Sequence, residues 1–202
     1  MIEPSINEPF VNLILASASP RRAEILSQLG FEFRIEPSAC DELAKDIPPN
    51  SIPREIAKRK ALSVSAKFKN YFVLGGDTLV FCDSEILGKP KSNKEAHKML
   101  SMLKNRMHKV ISGIAIAKNG EILFSDSAST EVFFRDYTEQ EILDYISTME
   151  YADKAGAYGI QGKGARFIKS INGCFYNVMG LPAAMTVEAL NEVLNETLNQ
   201  KE

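Results

Sequence analysis

The sequence predicts an α/β fold built on a mixed, twisted central sheet. Three observations predict it. Short apolar runs of strand length alternate with segments whose apolar residues recur at helix spacing. Ser92-Asn-Lys-Glu95 and Thr138-Glu-Gln-Glu141 are capping boxes that open helices. Asn119-Gly120 and Asn172-Gly173 sit between strand-like runs, as hairpin turns do.

In chain order, residues 11–16 form an apolar run that reads as a buried strand. Ser19 caps and Pro20 starts a helix whose apolar side is Ile25, Leu26 and Leu29, and Gly30 ends it. Residues 31–35 alternate apolar and polar and read as a second strand. Residues 38–50, acidic and proline-bearing, read as a loop. Residues 52–68 repeat Ala57, Ala61, Val64 and Phe68 at helix spacing, with Lys60 on the edge of that stripe. Residues 71–74 and 78–81 are strand-like and read as interrupted by Gly75-Gly76-Asp77. The helix opened by Ser92 runs to about Leu103. Residues 110–117 and 121–134 are strands about Asn119-Gly120. The helix after Thr138 carries Ile142, Leu143, Tyr145 and Ile146. Residues 151–164, with Gly156, Gly159, Gly162 and Gly164, form a loop. Residues 167–171 and 174–178 read as paired strands about Asn172-Gly173. A last amphipathic helix covers residues 182–198, with Val187, Leu190, Leu194 and Leu198 on one side.

Length and composition narrow the function. At 202 residues the chain reads as one domain, 1–202, large enough to bury a core without disulfides. Its 45% hydrophobic and 25% charged residues exclude disorder, collagen and coiled coil as overall descriptions. With 24 basic against 26 acidic side chains there is no global field for non-specific nucleic-acid binding. An anionic ligand would need a local cluster or a metal. Cys40, Cys82 and Cys174 are odd in number and widely separated, which fits neither a disulfide framework nor a zinc site. Residues 1–10 lack a basic-then-apolar signal pattern, and no apolar stretch reaches about 18 residues. The reading is a cytoplasmic protein with free thiols and no membrane partner.

Four places carry chemistry. In Ser17-Ala-Ser-Pro-Arg-Arg22 a strand feeds two hydroxyls into a helix N-terminus, a geometry that suits phosphate. Arg21 and Arg22 in that first turn oppose the helix dipole and call for an anion; the plainer alternative is a capped helix with two solvated arginines. Asp77 follows an apolar run and two glycines, where ligands of open α/β sheets tend to sit, or is a turn aspartate. Asp41-Glu42 could complete a hard-cation site with Asp77 and phosphate oxygens. Lys60 and Lys89 are candidate phosphate cations, or a snorkelling stem and a solvated side chain. Gln161, in a glycine-rich stretch, offers a donor and an acceptor that match a base edge; that stretch is otherwise a structural turn.

Taken together, Ser17-Ala-Ser-Pro-Arg-Arg22, Gly76-Asp-Thr-Leu-Val80, Leu87-Gly-Lys-Pro90, Asp153-Lys-Ala-Gly-Ala-Tyr-Gly-Ile-Gln-Gly162 and Asn177-Val-Met-Gly-Leu-Pro182 resemble the Maf family of nucleoside triphosphate pyrophosphatases, also called septum-formation-inhibitor-like proteins. The resemblance covers nearly the whole chain. It implies an inosine-triphosphate-pyrophosphatase-like fold, a mixed sheet in two lobes around a cleft. It also implies hydrolysis of a nucleoside triphosphate to the monophosphate and pyrophosphate with a divalent cation, Mg²⁺ or Mn²⁺. Ala157-Tyr158 and Ile160-Gln161 resemble the dTTP/UTP branch rather than the 7-methyl-GTP branch. Gly76, where the family commonly has alanine, reads as a departure of little consequence.

The resemblance assigns Asp77 as proton acceptor, though it could be chiefly a metal ligand; in the mechanism expected here Glu42 and Asp77 hold the metal, and Lys60 and Lys89 are catalytic cations that add positive charge. It places Ser17, Ser19, Arg21, Arg22 and Thr78 on the substrate and Gln161 on the base. Arg21 is expected to face the ligand, and Arg22 to pair with a protein carboxylate. A homodimer is compatible with this reading. The rival readings are a nucleotide-binding regulator of cell division acting through a partner, and a 7-methyl-GTP-type pyrophosphatase.

Overall fold

The computed structural model describes residues 12–199. The readings on residues 1–10 and on Val11, and the side chain of Leu198, lie outside the described part. The chain forms β1 (Leu13–Leu15), α1 (Pro20–Gln28), β2 (Arg34–Ile35), α2 (Ile52–Ser65), β3 (Phe72–Cys82), β4 (Glu85–Leu87), α3 (Asn93–Leu103), β5 (Met107–Lys118), β6 (Glu121–Phe134), α4 (Glu139–Ser147), β7 (Ile168–Asn172), α5 (Phe175–Met179) and α6 (Ala183–Asn199). The seven-stranded sheet has the order β2-β1-β3-β5-β6-β7, with β4 also on β3. β1 lies parallel to β2 and β3, and the other pairings are antiparallel. Parallel neighbours need crossovers, and α1 and α2 lie in those two connections.

Strand alternation sorts the apolar residues onto two faces. Ile14, Val73, Ala115 and Ala117 pack with Ala57, Ala61 and Val64 of α2. Leu13, Leu15, Leu74, Ile114 and Ile116 pack with Ile25 and Leu26 of α1 and with Leu190 and Val193 of α6. A third cluster gathers around the far ends of the long strands. There Val80, Cys82, Val110, Val132 and Phe134 meet Leu100 of α3, Ile142 and Tyr145 of α4, Tyr158 and Phe167. Asp77 therefore lies between a cluster at the start of β3 and another at its end.

The glycines of β3 have a different role from the one their sequence suggests. Gly75-Gly76-Asp77 does not interrupt the strand. Gly75 pairs with Ala115 and Asp77 with Gly113 in an unbroken ladder. A Cβ on Gly75 would stand 2.3 Å from the Ala57 carbonyl, and one on Gly113 would stand 2.3 Å from the Arg54 nitrogen. The glycines let the backbone of α2 lie directly on the sheet.

Residues 174–178 are also different: they are the helix α5, not a strand. Gly173, at φ +131°, turns the chain off β7. Buried Asn177 then donates to the Val110 carbonyl at 3.0 Å and to Thr130 Oγ1 at 2.9 Å, which anchors α5 against β5 and β6.

Helix α2 stops at Ser65 rather than 68, and the glycine-rich loop contains two 3₁₀ turns, Ala155–Ala157 and Gly162–Phe167. The Thr138 capping box is complete. Only half of the Ser92 box forms, because the Glu95 carboxylate accepts from Lys91 N–H instead. Among the described residues, no helix is long and apolar enough to cross a membrane.

Candidate active site

A cleft of about 950 Å³ opens along the middle of β3. Ser17, Ser19, Arg21, Arg22, Glu42, Lys60, Asp77, Thr78, Lys89 and Gln161 all line it. The strand β3 carries Asp77 and Thr78, α2 carries Lys60, and the turn from β1 into α1 carries the serines and arginines. Because β3 is continuous through its glycines, Asp77 projects from a central strand rather than from a loop. Its side chain is 11% exposed.

Lys60 Nζ lies 2.9 Å from Asp77 Oδ1 and 2.7 Å from Glu42 Oε1. Burial raises the Asp77 carboxyl above the ordinary aspartate range, and Lys60 only partly offsets it. A carboxylate raised in this way is a stronger proton acceptor than a solvated one. Glu42 differs from it, being 60% exposed on the loop of residues 38–50.

Adjacent helical residues point about 100° apart, and the two arginines diverge accordingly. Arg22 turns inward and is buried. Its Nε donates to the Gly180 carbonyl at 2.9 Å, and its terminal nitrogens donate to Ser17 Oγ at 3.0 Å and Thr78 Oγ1 at 3.1 Å. Burial lowers its pKa, while Asp77 and Glu42 hold it up. Arg21 runs along the rim, where it pairs with Asp153 Oδ2 at 2.6 Å and donates to the Asp153 carbonyl at 3.1 Å. The carboxylate expected for Arg22 therefore belongs to Arg21, and Arg22 is held by neutral oxygens. Hydrogen bonds from Lys154 and Arg21 outweigh the opposing effect of burial and bring the Asp153 carboxyl down to about 2. Gly76 faces the Arg22 side chain. A Cβ there would stand 3.1 Å from Arg22 Nε, so glycine leaves room for the guanidinium.

Ser17 Oγ accepts from Arg22 and from the Ser19 N–H at 3.2 Å. Ser19 holds the N-cap position of α1, but its side chain makes no capping bond. Thr78 Oγ1 shares a 2.8 Å hydrogen bond with Ser112 Oγ, which donates onward to the Asn177 carbonyl. Lys89 is exposed on the cleft wall.

Sequence reasoning gave no role to Asp153, Lys154 and Glu150. Asp153 and Lys154 stand in the quoted Asp-Lys-Ala-Gly motif, so their charge was the available signal. Glu150 lies outside every motif, and only its hydrogen bonds identify it.

Among the described residues there is no group of three or more His, Cys, Asp or Glu side chains able to cage a metal. Glu42 and Asp77 converge on one point, which Lys60 Nζ occupies. Two carboxylates fit a hard cation that completes its shell with water and substrate phosphate oxygens, as Mg²⁺ does. They do not fit a closed protein cage.

Residues 12–193 match the family described as Maf-like protein. A dTTP/UTP pyrophosphatase of Geobacillus sp. (strain WCH70) is 45% identical over 183 residues, covering 90% of this chain and 97% of that protein. A dTTP/UTP pyrophosphatase of Pyrococcus abyssi is 43% identical over 178 residues, covering 88% of this chain and 94% of that protein. Among solved structures, a HAM1 protein from Coxiella burnetii overlays 91% of this chain and 98% of its own at 17% identity, with a TM-score of 0.49.

Proposed function

This chain belongs to the Maf-like protein family, and we propose that it hydrolyses nucleoside triphosphates, dTTP and UTP foremost, to the monophosphate and pyrophosphate. The observation that carries the proposal is the buried Asp77 carboxylate, raised in pKa and bonded to Lys60, inside a cleft that also holds Arg21, Arg22 and the N-terminus of α1. Relatives of this similarity that are named dTTP/UTP pyrophosphatases support the choice of substrate.

In this mechanism Asp77 accepts a proton from the water that attacks the α-phosphorus, and the βγ-pyrophosphate leaves. Lys60 orients Asp77 and presents positive charge beside it. The triphosphate competes with Asp153 for Arg21, while Ser17, Ser19, Thr78 and the first-turn N–H groups of α1 line its seat. Arg22 contributes a fixed buried charge. Lys89 meets the departing pyrophosphate. Glu42 and Asp77 would hold a Mg²⁺- or Mn²⁺-like ion, which when bound neutralises charge developing on phosphate oxygens. Gln161 faces the base. One domain over 1–202, a cytoplasmic location and a homodimer belong to the same proposal.

A test is pyrophosphate release from UTP, dTTP, CTP, ATP, GTP and 7-methyl-GTP by the purified protein with Mg²⁺. The uracil and thymine nucleotides are expected to lead in kcat/KM. A lead for 7-methyl-GTP would move the protein to the other branch. Binding without turnover of any nucleotide would favour the regulator.

A further inference from the structure

Base selection needs more than the Gln161 side chain. Uracil and thymine present N3–H beside O4, cytosine presents the reverse pair, and a flipped amide meets either. The Gln161 side chain makes no hydrogen bond among the described residues, so no neighbour locks its amide. The backbone carrying it is held firmly. Glu150 Oε2 accepts from Lys163 N–H at 3.0 Å, and Oε1 accepts from Gly164 N–H at 3.1 Å. The approach is close enough that a Cβ on Gly162, at φ +79°, would stand 2.9 Å from Glu150 Oε2. The positive φ favours glycine at residue 162, and its small size leaves the Glu150 carboxylate room to approach.

The other end of the loop returns to the same anchor. Lys154 Nζ donates to the Glu150 carbonyl and to Asp153 Oδ1. Its stem lies under Gly159, where a Cβ would meet Lys154 Cε at 2.7 Å. Gly159 and Gly164 also touch, since a Cβ on Gly164 would stand 2.5 Å from the Gly159 carbonyl oxygen. The segment from 159 to 164 is a closed ring of backbone with Gln161 at its tip and Glu150 as its base.

We propose that Glu150 is the positioning residue for base selection. By holding the N–H groups of Lys163 and Gly164, it sets where Gln161 meets the pyrimidine edge. The inference rests on reading the cleft as a nucleoside triphosphate site. Two N–H groups bonded to one carboxylate fix the loop in distance and direction, and charge-assisted bonds of this kind are about twice as strong as neutral ones. In Glu150→Gln one of the two positions becomes an NH₂ group facing an N–H donor, so the loop loses a bond and gains a repulsion.

The experiment measures kcat and KM for UTP, dTTP and CTP in wild type, Glu150→Gln, Gln161→Ala and the double variant, with amide exchange at Lys163 and Gly164. In Glu150→Gln the UTP-over-CTP ratio of kcat/KM is expected to fall about tenfold, the equivalent of one lost interaction. The loss is expected mainly in KM, and the two amides exchange faster while those of β3 do not. In the Gln161→Ala background, Glu150→Gln is expected to change the ratio no further, which a merely structural carboxylate would not reproduce. Glu150→Asp, one methylene shorter and able to reach only one of the two N–H groups, is the second variant, with an intermediate ratio expected. An unchanged ratio in Glu150→Gln or Glu150→Asp, or full additivity with Gln161→Ala, overturns the inference while leaving the pyrophosphatase reading in place. A wild type that releases no pyrophosphate from UTP or dTTP removes both.

Discussion

The wall of the cleft that carries Asp77, Lys60 and Arg22 is built from regular elements. β3 is paired on both sides, by β1 and by β5, and α2 rests its backbone on the sheet through Gly75 of β3 and Gly113 of β5. The facing wall, residues 150–164, consists of short 3₁₀ turns, with Gly156, Ala157 and Gly162 at positive φ. On the first wall the polar groups bond to one another. On the second, Glu150 and Lys154 bond to the loop's own backbone, while Asp153 and Tyr158 reach Arg21 and His108 outside the loop. The contrast teaches where each task is placed. Groups that handle charge and protons need fixed distances, which a sheet with a seated helix provides. Gln161, proposed above to meet the base, sits on a loop whose shape depends on a few anchors and changes at little cost to the core.

The largest test of this division is Asp77→Asn. Loss of a general base typically lowers turnover about 10²–10⁴-fold, measured as pyrophosphate release at saturating UTP. Burial raises the Asp77 carboxyl, so its folded pKa exceeds the unfolded one. Its contribution to stability is therefore full below the unfolded aspartate range and lost as pH rises through the folded value. The amide variant is accordingly expected to melt no lower than wild type at pH 7. Near-wild-type turnover would take the chemistry away from this wall.

Chelation comes next. EDTA is expected to stop hydrolysis and Mg²⁺ or Mn²⁺ to restore it, while the melting temperature of the ligand-free protein stays the same. A protein that melts earlier in EDTA would instead hold a resident ion.

The two arginines divide between the interior of the cleft and its rim. Arg22→Ala leaves oxygens of Ser17, Thr78 and Gly180 without their guanidinium in a buried place. It is expected to cost about 2–4 kcal/mol of stability as well as activity. Arg21→Ala breaks an ion pair whose acid is 54% exposed, worth about 0–1 kcal/mol. Its effect is expected in KM. Denaturant melts and initial rates of the two variants check this, and equal stability losses would contradict it.

The smallest effect concerns His108, a β5 residue that shares a 2.7 Å hydrogen bond with Tyr158 of the loop wall. Burial lowers its pKa from 6.5 to about 3. The unfolded chain therefore binds a proton that the folded one refuses. The stability linked to His108 is present above pH 6.5 and lost as pH falls toward about 3. The slope is about 1.4 kcal/mol per pH unit within that window. His108→Gln is expected to flatten this part of the stability–pH curve, read from urea midpoints at pH 7.5 and 5. An unchanged slope would mean that His108 does not couple the walls to acid.

Much of the fold was legible because its signals are local. The Thr138 capping box, the Pro20 helix start and the Asn119-Gly120 turn each depend on a few neighbouring residues, and each stands where the pattern puts it. The site residues were legible as types: hydroxyls before a helix, a carboxylate after glycines, and paired cations. Their partners were not, because partners are far apart in sequence. Arg21 and Asp153 are 132 positions apart, and Arg22 reaches Gly180 across 158.

Local patterning along the chain set the alternation of elements, the polarity of their faces and the set of charged groups available to the cleft. These follow from hydrophobic period and backbone chemistry within a few residues. Packing between elements settled three further points. It made Gly75 a seat for α2 rather than part of a turn, because a glycine permits both and only a helix lying 2.3 Å from the missing Cβ selects one. It sent Arg22 inward and Arg21 to the rim, because the helix phase acquires direction only when α1 packs against the sheet. It also made Glu150 an anchor for residues 163 and 164, because a carboxylate finds its N–H partners through space and its position in the sequence does not reveal them.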